Sequence, residues 1–473
     1  MTTPVRLAAA QVLLAVQHGS TTLAHETDRA RRSVPDDRDR GLLVELTAGV
    51  LRWQTTLDAL LEQCANRPVA DLDDAVRVTL RLGAYQLEHL DRVPPHAVVH
   101  ESVEVVRSLG RPHAAGFVNA VLRTFGRTRA ALTLPARPQD DADRAASLAY
   151  LTTSLSHPEW LAARWLDRYG LDAAEAWCRF NNRPPELTIR PIRGVTIDEL
   201  LTKLAGAGVD AANAPYVADA LRLAPGSLGR LPPDVAESFL VHDEGAQLVA
   251  RAVSARPGDR VVDLCAAPGG KTVVLAADLE DVGRTFGAGT VAGPEGPASV
   301  RQGTLVACDV RDRRVKLLRA TLRRGHAGAH IVQLDATRAL PFGAVFDRVL
   351  LDAPCSGLGT VRRDPDLKWS RTPADFEPLR RTQRALIDRA AEVVAPGGSL
   401  VYATCSSEPE ENDAIVDEFL ATHAEFSLEP VLWHTGVTNG ATLVDARGFL
   451  RTLPFVHGLD AYVAAVLVRR RTA

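Results

Sequence analysis

Residues 261–272 read Val-Val-Asp-Leu-Cys-Ala-Ala-Pro-Gly-Gly-Lys-Thr, and this stretch decides the fold of the C-terminal half. An apolar run typical of a buried strand leads into small residues and two glycines, and a helical pattern begins near Lys271. Glycines let a backbone approach a ligand closely, and the first turn of a helix presents free N–H groups. The stretch therefore predicts a strand–turn–helix unit that carries a ligand loop.

The spacing of the glycines narrows the kind of ligand. The loop has neither the Gly-x-x-x-x-Gly-Lys spacing that cradles phosphates nor the Gly-x-Gly-x-x-Gly spacing of dinucleotide sites. A strand–turn–helix junction without any ligand is the structural alternative. We favour a small cofactor that has no pyrophosphate.

Strands and helices alternate from about residue 255 to the end of the chain. Strand candidates occupy 260–264, 304–308, 330–334, 346–351, 399–403 and 461–468. This alternation is typical of a doubly wound, mostly parallel sheet, so we predict a Rossmann-like α/β domain over 255–473. Residues 281–303 are rich in Gly, Ala and Pro, which predicts a flexible surface insertion.

The N-terminal part has a different pattern. Residues 1–130 form successive segments with apolar residues three and four positions apart, separated by prolines and glycines, which predicts an all-α bundle. Residues 131–150 lack this periodicity and are interpreted as a linker. Short strand-like and helical segments over 151–254 predict a small α+β connector. The chain is therefore expected to be multidomain.

Composition excludes several classes of protein. The net charge of −3 provides no global attraction to nucleic acid, so RNA binding would need local basic patches. No apolar run approaches the ~20 residues of a membrane span, and the first residues do not resemble a signal peptide. Six cysteines in 473 residues, none in Cys-x-x-Cys spacing, predict neither a disulfide framework nor a metal site. We expect a cytoplasmic protein with free thiols.

Polar side chains follow successive strands of the predicted sheet. Asp309 and Asp335 end the second and third strands, where carboxylates could accept hydrogen bonds from a nucleoside, although either alone could be a helix N-cap. The next strands lead into Asp352-Ala-Pro-Cys355 and Thr404-Cys405-Ser406. A single buried cysteine is more often a packing residue. Two at adjacent strand ends, beside an aspartate, favour covalent chemistry.

These motifs together resemble those of the S-adenosylmethionine-dependent RNA cytosine-C5 methyltransferases. The N-terminal helices, with Phe117–Arg123, resemble the NusB-like RNA-binding domain, and this pairing is similar to the bacterial 16S rRNA methyltransferase B family. The resemblance covers nearly the whole chain. It rests on the segments 117–123, 181–185, 243–247, 261–272, 352–357, 362–366 and 402–406.

The resemblance implies a role for each site residue. Cys405 is the nucleophile that adds to C6 of cytosine, Asp352 protonates or hydrogen-bonds N3, and Cys355 assists proton removal and release. Related DNA enzymes attack with the cysteine of a Pro-Cys motif, which leaves Cys355 as the alternative nucleophile. S-Adenosylmethionine would be held by the glycine-rich loop, by Asp309 at the ribose, by Asp335 at the adenine and by Asp352. The loop residues are Cys265, Ala266, Ala267, Pro268, Gly269, Gly270 and Lys271.

The substrate and the RNA contacts are further expectations. A monomer acting on 16S rRNA or a small-subunit assembly intermediate is predicted. The alternatives are the same chemistry on tRNA and a non-catalytic RNA-binding assembly factor. Candidate RNA contacts follow Cys355 and combine cations with a stacking ring, although a solvated loop would look the same. They are Arg362, Arg363, Lys368 and Trp369. The segment before the last strand departs from the family's Asp-Gly-Phe-Phe pattern, so no role is predicted for it.

Overall fold

The computed structural model describes residues 4–19, 21–140, 143–224, 226–280 and 303–471. The chain divides into two compact units. Unit 1 consists of Met1–Pro184 and Val361–Pro373, and unit 2 consists of Pro185–Thr360 and Ala374–Ala473. A short piece of the C-terminal sequence therefore belongs to the N-terminal unit.

Unit 1 is helical, as predicted for residues 1–130. Its core is formed by apolar residues at helical spacing, and small residues allow the closest approaches between helices. A Cβ atom on Gly83 would lie 2.5 Å from Leu122 Cδ1, so glycine is needed where these two helices meet. The helices are α1 (Pro4–Gln17), α2 (Leu23–Arg31), α3 (Asp37–Arg52), α4 (Gln54–Ala65), α5 (Asp74–His89), α6 (Pro95–Ser108), α7 (Ala115–Thr128), α8 (Arg144–Ala149) and α9 (Glu159–Asn181).

The helical unit extends to Pro184 in the structure, whereas the sequence analysis ended the helical bundle at residue 130. The interpreted linker over 131–150 contains α8, which continues into a π-helical turn, and α9 belongs to unit 1 instead of the connector. The reason is packing: Trp165 and Trp177 of α9 are fully buried and stack with ring centroids 4.5 Å apart. Large aromatic rings of this kind stabilise a helical core, so α9 packs with unit 1 although the sequence assigned it to the connector.

Unit 2 begins with a small antiparallel sheet that confirms the α+β connector. Its strand order is β2-β3-β1-β4, and Leu200 and Leu204 of α10 are buried in its core cluster. The elements are β1 (Leu187–Pro191), α10 (Ile197–Gly206), β2 (Ala211–Asn213), β3 (Leu221–Leu223), α11 (Pro233–Ala236) and β4 (Phe239–Val241).

The larger sheet of unit 2 confirms the Rossmann-like class. Its order is β10-β12-β9-β8-β5-β6-β7, with β5 to β9 parallel and β10 and β12 antiparallel. The strands are β5 (Arg260–Asp263), β6 (Thr304–Asp309), β7 (His330–Gln333), β8 (Phe346–Asp352), β9 (Val394–Thr404), β10 (Phe426–Glu429), β11 (Leu450–Arg451), which pairs with β12, and β12 (Val463–Arg469).

Helices connect these strands, and the order of the sheet positions the site. They are α12 (Glu244–Ala252), α13 (Gly270–Glu280), α14 (Asp312–Arg324), α15 (Leu367–Ser370, within the unit 1 segment), α16 (Phe376–Val393), α17 (Asp413–Thr422) and α18 (Pro454–His457). Strand order reverses at β5, between β6 and β8, and ligands of such sheets bind at the carboxyl ends of the strands there.

Two further sequence-based expectations concern the insertion at 281–303 and membrane-spanning helices. The predicted insertion at 281–303 falls, except for its last residue, outside the described residues. Within the ranges that the structure describes, every helix is too short or too polar to cross a membrane.

Candidate active site

The glycine-rich loop joins β5 to α13 and presses closely against its neighbours. Gly269 has φ +111°, and a Cβ atom there would lie 2.9 Å from Leu318 Cδ1 of α14. A Cβ atom on Gly270 would lie 2.8 Å from the His242 ring. Both positions therefore require glycine, and α13 begins directly at Gly270 with its free N–H groups at the carboxyl end of the sheet.

Asp263, the last residue of β5, supplies an acceptor beneath this loop. Its side chain is buried, and Oδ2 accepts a hydrogen bond of 2.8 Å from Thr272 Oγ1. Oδ1 has no hydrogen-bond partner among the described residues. Burial raises the pKa of Asp263 to about 7. A buried oxygen without a partner is costly, so a donor from a bound ligand would stabilise it.

The two aspartates predicted at strand ends have different surroundings. Asp309 ends β6 and is buried, and its Oδ2 accepts from Ala267 N at 3.2 Å and from Arg314 Nε at 3.0 Å. It therefore also shapes the glycine-rich loop. Asp335 lies two residues beyond β7, and its Oδ1 accepts from the backbone and the hydroxyl of Thr337. Asp335 therefore closes a local turn, and since β8 is the next element after β7, it is not the helix N-cap that was its structural alternative.

Lys271 and Asp352 form an ion pair at the centre of the site. Lys271 Nζ lies 2.7 Å from Asp352 Oδ2 and 5.8 Å from the centroid of the Tyr462 ring. Burial lowers the pKa of Lys271, but Asp352, and then the Cys405 charge, outweigh burial, so the net shift is upward. Lys271 therefore carries a positive charge next to Asp352 and within electrostatic reach of Cys405.

The two predicted thiols meet at the ends of β8 and β9. Cys355 Sγ and Cys405 Sγ are 3.3 Å apart, and both side chains are half-buried. The pKa of Cys355 is raised well above its ordinary value by the hydrogen bond with Cys405, by burial, and by the charges of Cys405, Glu411 and Asp352. Cys355 is therefore held as a thiol, while Lys271 offers Cys405 a positive neighbour.

Two further cysteines, Cys265 of the glycine-rich loop and Cys308 of β6, do not have the properties of nucleophiles. Burial raises the pKa of Cys265, and it raises the pKa of Cys308 in β6 to about 12. The charges of Asp263 and Asp309 add to this upward shift of both pKa values. They are inert lining groups under ordinary conditions.

The segment before β12 contributes to the site, which the sequence did not predict. Gly359 N donates to Cys405 O at 3.0 Å, and Ala461 N donates to Gly359 O at 2.9 Å. A Cβ atom on Gly359 would lie 2.0 Å from Ala461 O. Residue 359 must therefore be glycine for these three backbone segments to meet behind the thiols.

A buried carboxylate behind the thiols was also missed. Glu411 is fully buried and accepts hydrogen bonds from the hydroxyls of Ser356 and Ser406, the residues that directly follow the two cysteines. In sequence it lies in an acidic run, Glu408-Pro-Glu-Glu411, which is typical of a solvated surface. Only its position six residues after Cys405 hinted at a link to the site.

The predicted RNA contacts need correction, because the segment Val361–Pro373 packs into unit 1. Lys368 is fully buried, and its Nζ donates to Arg52 O, Ser156 O and Asn182 Oδ1 at 2.8, 2.6 and 3.3 Å. Its ammonium group cannot reach RNA in this structure, so that prediction is wrong here. Trp369 is half-buried against the helical core, and its Nε1 donates to Leu51 O at 2.6 Å.

The two arginines of this segment that were predicted to contact RNA, Arg362 and Arg363, are half-buried. The Arg362 guanidinium lies 4.1 Å from the centroid of the Phe180 ring, and its backbone oxygen accepts from Arg52 Nη2 at 3.2 Å. Contact of Arg362 or Arg363 with RNA stays a prediction.

Comparisons with known protein families agree with this architecture. Residues 3–127 match the NusB family, residues 157–227 match the ferredoxin-like domain of RsmF/B-like methyltransferases, and residues 298–468 match the family described as 16S rRNA methyltransferase RsmB/F. The fold and the matched domains define the protein as an RNA methyltransferase.

Individual relatives narrow the class. The chain is 34% identical over 431 residues to the probable ribosomal RNA small subunit methyltransferase B of Bacillus subtilis, covering 90% of each chain. It is 36% identical over 420 residues to ribosomal RNA small subunit methyltransferase B of Pseudomonas putida, covering 88% of each. The chain belongs to the ribosomal RNA small subunit methyltransferase B family, which confirms the resemblance seen in the sequence.

Solved structures show the same fold at lower identity. The protein PH0851 superposes with a TM-score of 0.76 at 23% identity and covers 99% of both chains. A methyltransferase homolog protein from Pyrococcus horikoshii has a TM-score of 0.54 at 24% identity and covers 68% of this chain and 99% of its own. These neighbours establish the fold alone.

Proposed function

We propose that this RNA methyltransferase transfers a methyl group from S-adenosylmethionine to C5 of a specific cytosine in 16S rRNA. The observation that carries the proposal is the pair of thiols 3.3 Å apart, with the Lys271–Asp352 ion pair beside them. The names of the relatives favour small-subunit rRNA over tRNA as the substrate.

The residues around the glycine-rich loop fit the proposed cofactor. The free N–H groups at the start of α13 suit the carboxylate of its amino-acid part. The unpartnered Asp263 Oδ1 suits a donor, and Asp309 and Asp335 supply acceptors for hydroxyl and amino groups. Pro268 is exposed and Ala266 and Ala267 are buried, so this turn has one face toward solvent. When bound, S-adenosylmethionine supplies an electrophilic methyl group.

The proposed reaction divides its steps among three side chains. C5 of cytosine is a weak nucleophile, so the Cys405 thiolate first forms a bond to C6 while Asp352, which must be protonated for this step, donates a proton or hydrogen bond to N3. The addition turns the C5=C6 double bond into a C4=C5 enamine, and its electron pair makes C5 nucleophilic toward the methyl group, whose S–C bonding pair would stay with the sulfur. A base removes the C5 proton, the C5=C6 bond re-forms, and the Cys405–C6 bond breaks. Cys355, next to Cys405, assists the proton removal and the release. Bonding of Cys405 to C6 removes the Cys405 charge, which is one cause of the raised pKa of Cys355, so Cys355 can then ionise and accept the C5 proton.

Two variants test the roles of the thiols. Purified protein is incubated with cofactor labelled in its methyl group and with separate rRNA and tRNA pools. Cys405→Ala is expected to abolish transfer, whereas Cys355→Ala is expected to accumulate a denaturation-resistant protein–RNA adduct. Cys64→Ala, which removes a half-buried thiol of unit 1, is the matched control and should retain transfer.

Other outcomes would change the proposed nucleophile, the proposed substrate or the proposed activity. An adduct in Cys405→Ala and none in Cys355→Ala would make Cys355 the nucleophile. Label in the tRNA pool alone would identify tRNA instead of 16S rRNA as the substrate. Label in neither pool, with both naked rRNA and small-subunit particles offered, would favour the non-catalytic assembly factor.

A further inference from the structure

One carboxylate connects the two loops that carry the thiols. Ser356 directly follows Cys355, and Ser406 directly follows Cys405. Both hydroxyls donate to the same atom, Glu411 Oε2, each at 2.5 Å, and the two hydroxyl oxygens lie 3.2 Å from each other. Glu411 therefore bridges the loops after β8 and β9 at a point one residue from each sulfur.

Glu411 is itself held in place from several directions. Its Oε1 accepts from Ser356 N at 2.8 Å and from Gln383 Nε2 at 3.1 Å. Gln383 Nε2 also donates to Pro354 O at 3.0 Å, on the other side of Cys355. The backbone oxygen of Glu411 accepts from Tyr402 Oη at 2.6 Å. The carboxylate is thus a fixed point for both loops.

The hydrogen bonds around Glu411 require an acceptor with two oxygens. An ionised carboxylate only accepts hydrogen bonds, and here four donors face its two oxygens. An amide in the same position would turn an N–H group toward at least one of these donors. Charge-assisted bonds to a buried carboxylate are also among the stronger hydrogen bonds in proteins.

We propose that Glu411 is a positioning residue, which sets the relative placement of Cys355 and Cys405 through the hydroxyls of Ser356 and Ser406. This inference rests on the proposed covalent reaction, in which the two thiols act in turn on one base. A small displacement of a reacting group can cost ~100-fold in rate, so a bridge of this kind has kinetic value.

The charge of Glu411 adds an effect on Cys355. The pKa of Cys355 is raised first by its hydrogen bond with Cys405 and by burial, and then by the charges of Cys405, Glu411 and Asp352. Neutralising Glu411 should therefore lower the pKa of Cys355. A residue that only fills space would not have this effect.

The test combines thiol reactivity with methyl transfer. Glu411→Gln, Ser356→Ala, Ser406→Ala and the double serine variant are compared with Glu408→Gln. Glu408 is the matched control because it is a buried carboxylate of the same loop whose Oε1 accepts from Ser407 Oγ. Alkylation of each cysteine by iodoacetamide is followed against pH by peptide mass spectrometry, without RNA or cofactor. Labelled transfer gives kcat and KM.

We expect Glu411→Gln to lower kcat ~100-fold with KM for RNA nearly unchanged, and to shift Cys355 alkylation to lower pH. The double serine variant should lower kcat in the same direction, and adding Glu411→Gln to it should cost little more, because the groups act as one unit. Glu408→Gln should leave both alkylation profiles unchanged.

Loss of thermal stability in Glu411→Gln, with unchanged alkylation profiles and unchanged kcat per folded molecule, would overturn the proposal. If Glu411→Gln does not fold, the serine variants decide it in the same way. If the wild-type protein transfers no methyl group, the proposed function fails, whereas the alkylation profiles still decide whether Glu411 controls the thiols.

Discussion

Two lysines, the half-buried Lys271 in unit 2 and the fully buried Lys368 in unit 1, have opposite surroundings. Lys271 pairs with the Asp352 carboxylate at 2.7 Å, and the net shift of its pKa is upward. Lys368 meets three neutral carbonyl oxygens, and burial lowers its pKa to about 7. The positive charge is stabilised in one site and disfavoured in the other.

The different surroundings indicate different roles for the two lysines. A charge held beside a carboxylate and a thiol can act on a reaction at pH 7, because it is present throughout. A buried amino group that donates to two backbone oxygens and one side-chain amide oxygen instead crosslinks chain segments. Lys368 connects the segment Val361–Pro373 to the end of α3, to Ser156 and to the residue after α9. Lys271 is therefore expected to affect catalysis, and Lys368 to affect stability.

The largest expected effect is that of Lys271→Met. Removing a fixed charge from the site should lower methyl transfer ~1000-fold, which corresponds to about 4 kcal/mol, because no other described cation pairs with Asp352. Single-turnover transfer with labelled cofactor measures the loss. Lys203→Met, at an exposed position of α10, is the control. If the transfer rate of Lys271→Met is within ten-fold of the wild-type rate, the charge of Lys271 does not contribute to the reaction as proposed.

The next effect is that of Lys368→Met on stability. Methionine fills much of the same space but leaves three carbonyl oxygens without their donor, so we expect a loss of about 3 kcal/mol in the free energy of unfolding. Urea denaturation followed by helical circular dichroism measures it. Transfer per folded molecule should stay near the wild-type value. Weaker RNA binding without a loss of stability would restore the RNA contact that the sequence predicted.

The same comparison shows what the sequence could predict. The placement of the glycine-rich loop, Cys355 and Cys405 at one edge of the sheet could be predicted, because local patterns put each at a strand end and parallel strands bring their carboxyl ends to one edge. Lys368 was misplaced because a cation beside a tryptophan looks the same in a solvated loop and in a buried one. Its environment depends on Arg52 and Ser156, which lie more than 200 residues away along the chain.

Two further residues of the site, Glu411 and Ala461, could not be predicted from the sequence, because their contacts also depend on distant parts of the chain. Glu411 resembles any acidic surface residue until the hydroxyls of Ser356 and Ser406 are seen to converge on it. The role of Ala461 is carried by its backbone N–H, which leaves no side-chain signal. The N-terminal helices were predicted correctly because amphipathic periodicity is local, whereas the packing of α9 with them depends on contacts that periodicity does not show.

The third prediction concerns the pH dependence of the stability difference between wild type and Lys368→Met. The pKa of Lys368 falls from 10.5 to about 7 on folding, so between these values the unfolded state binds more protons. The difference, wild type minus variant, should therefore increase as pH rises from about 7 toward 10, by at most about 1.4 kcal/mol per pH unit. Denaturation at four pH values measures the slope. A flat profile would mean that Lys368 stays charged, as Lys271 does.

The smallest effect is expected for Lys316→Met, which completes the comparison with an exposed lysine. Lys316 Nζ lies 2.7 Å from Asp312 Oδ2 on α14, but both side chains are about two-thirds exposed. Water screens such a pair, so the change in the free energy of unfolding should stay below about 0.5 kcal/mol. Transfer should also be unchanged, because water already solvates the Lys316 side chain. A raised KM for RNA with normal stability would instead assign Lys316 to RNA binding, and an exposed lysine would then matter more to the substrate than the buried Lys368.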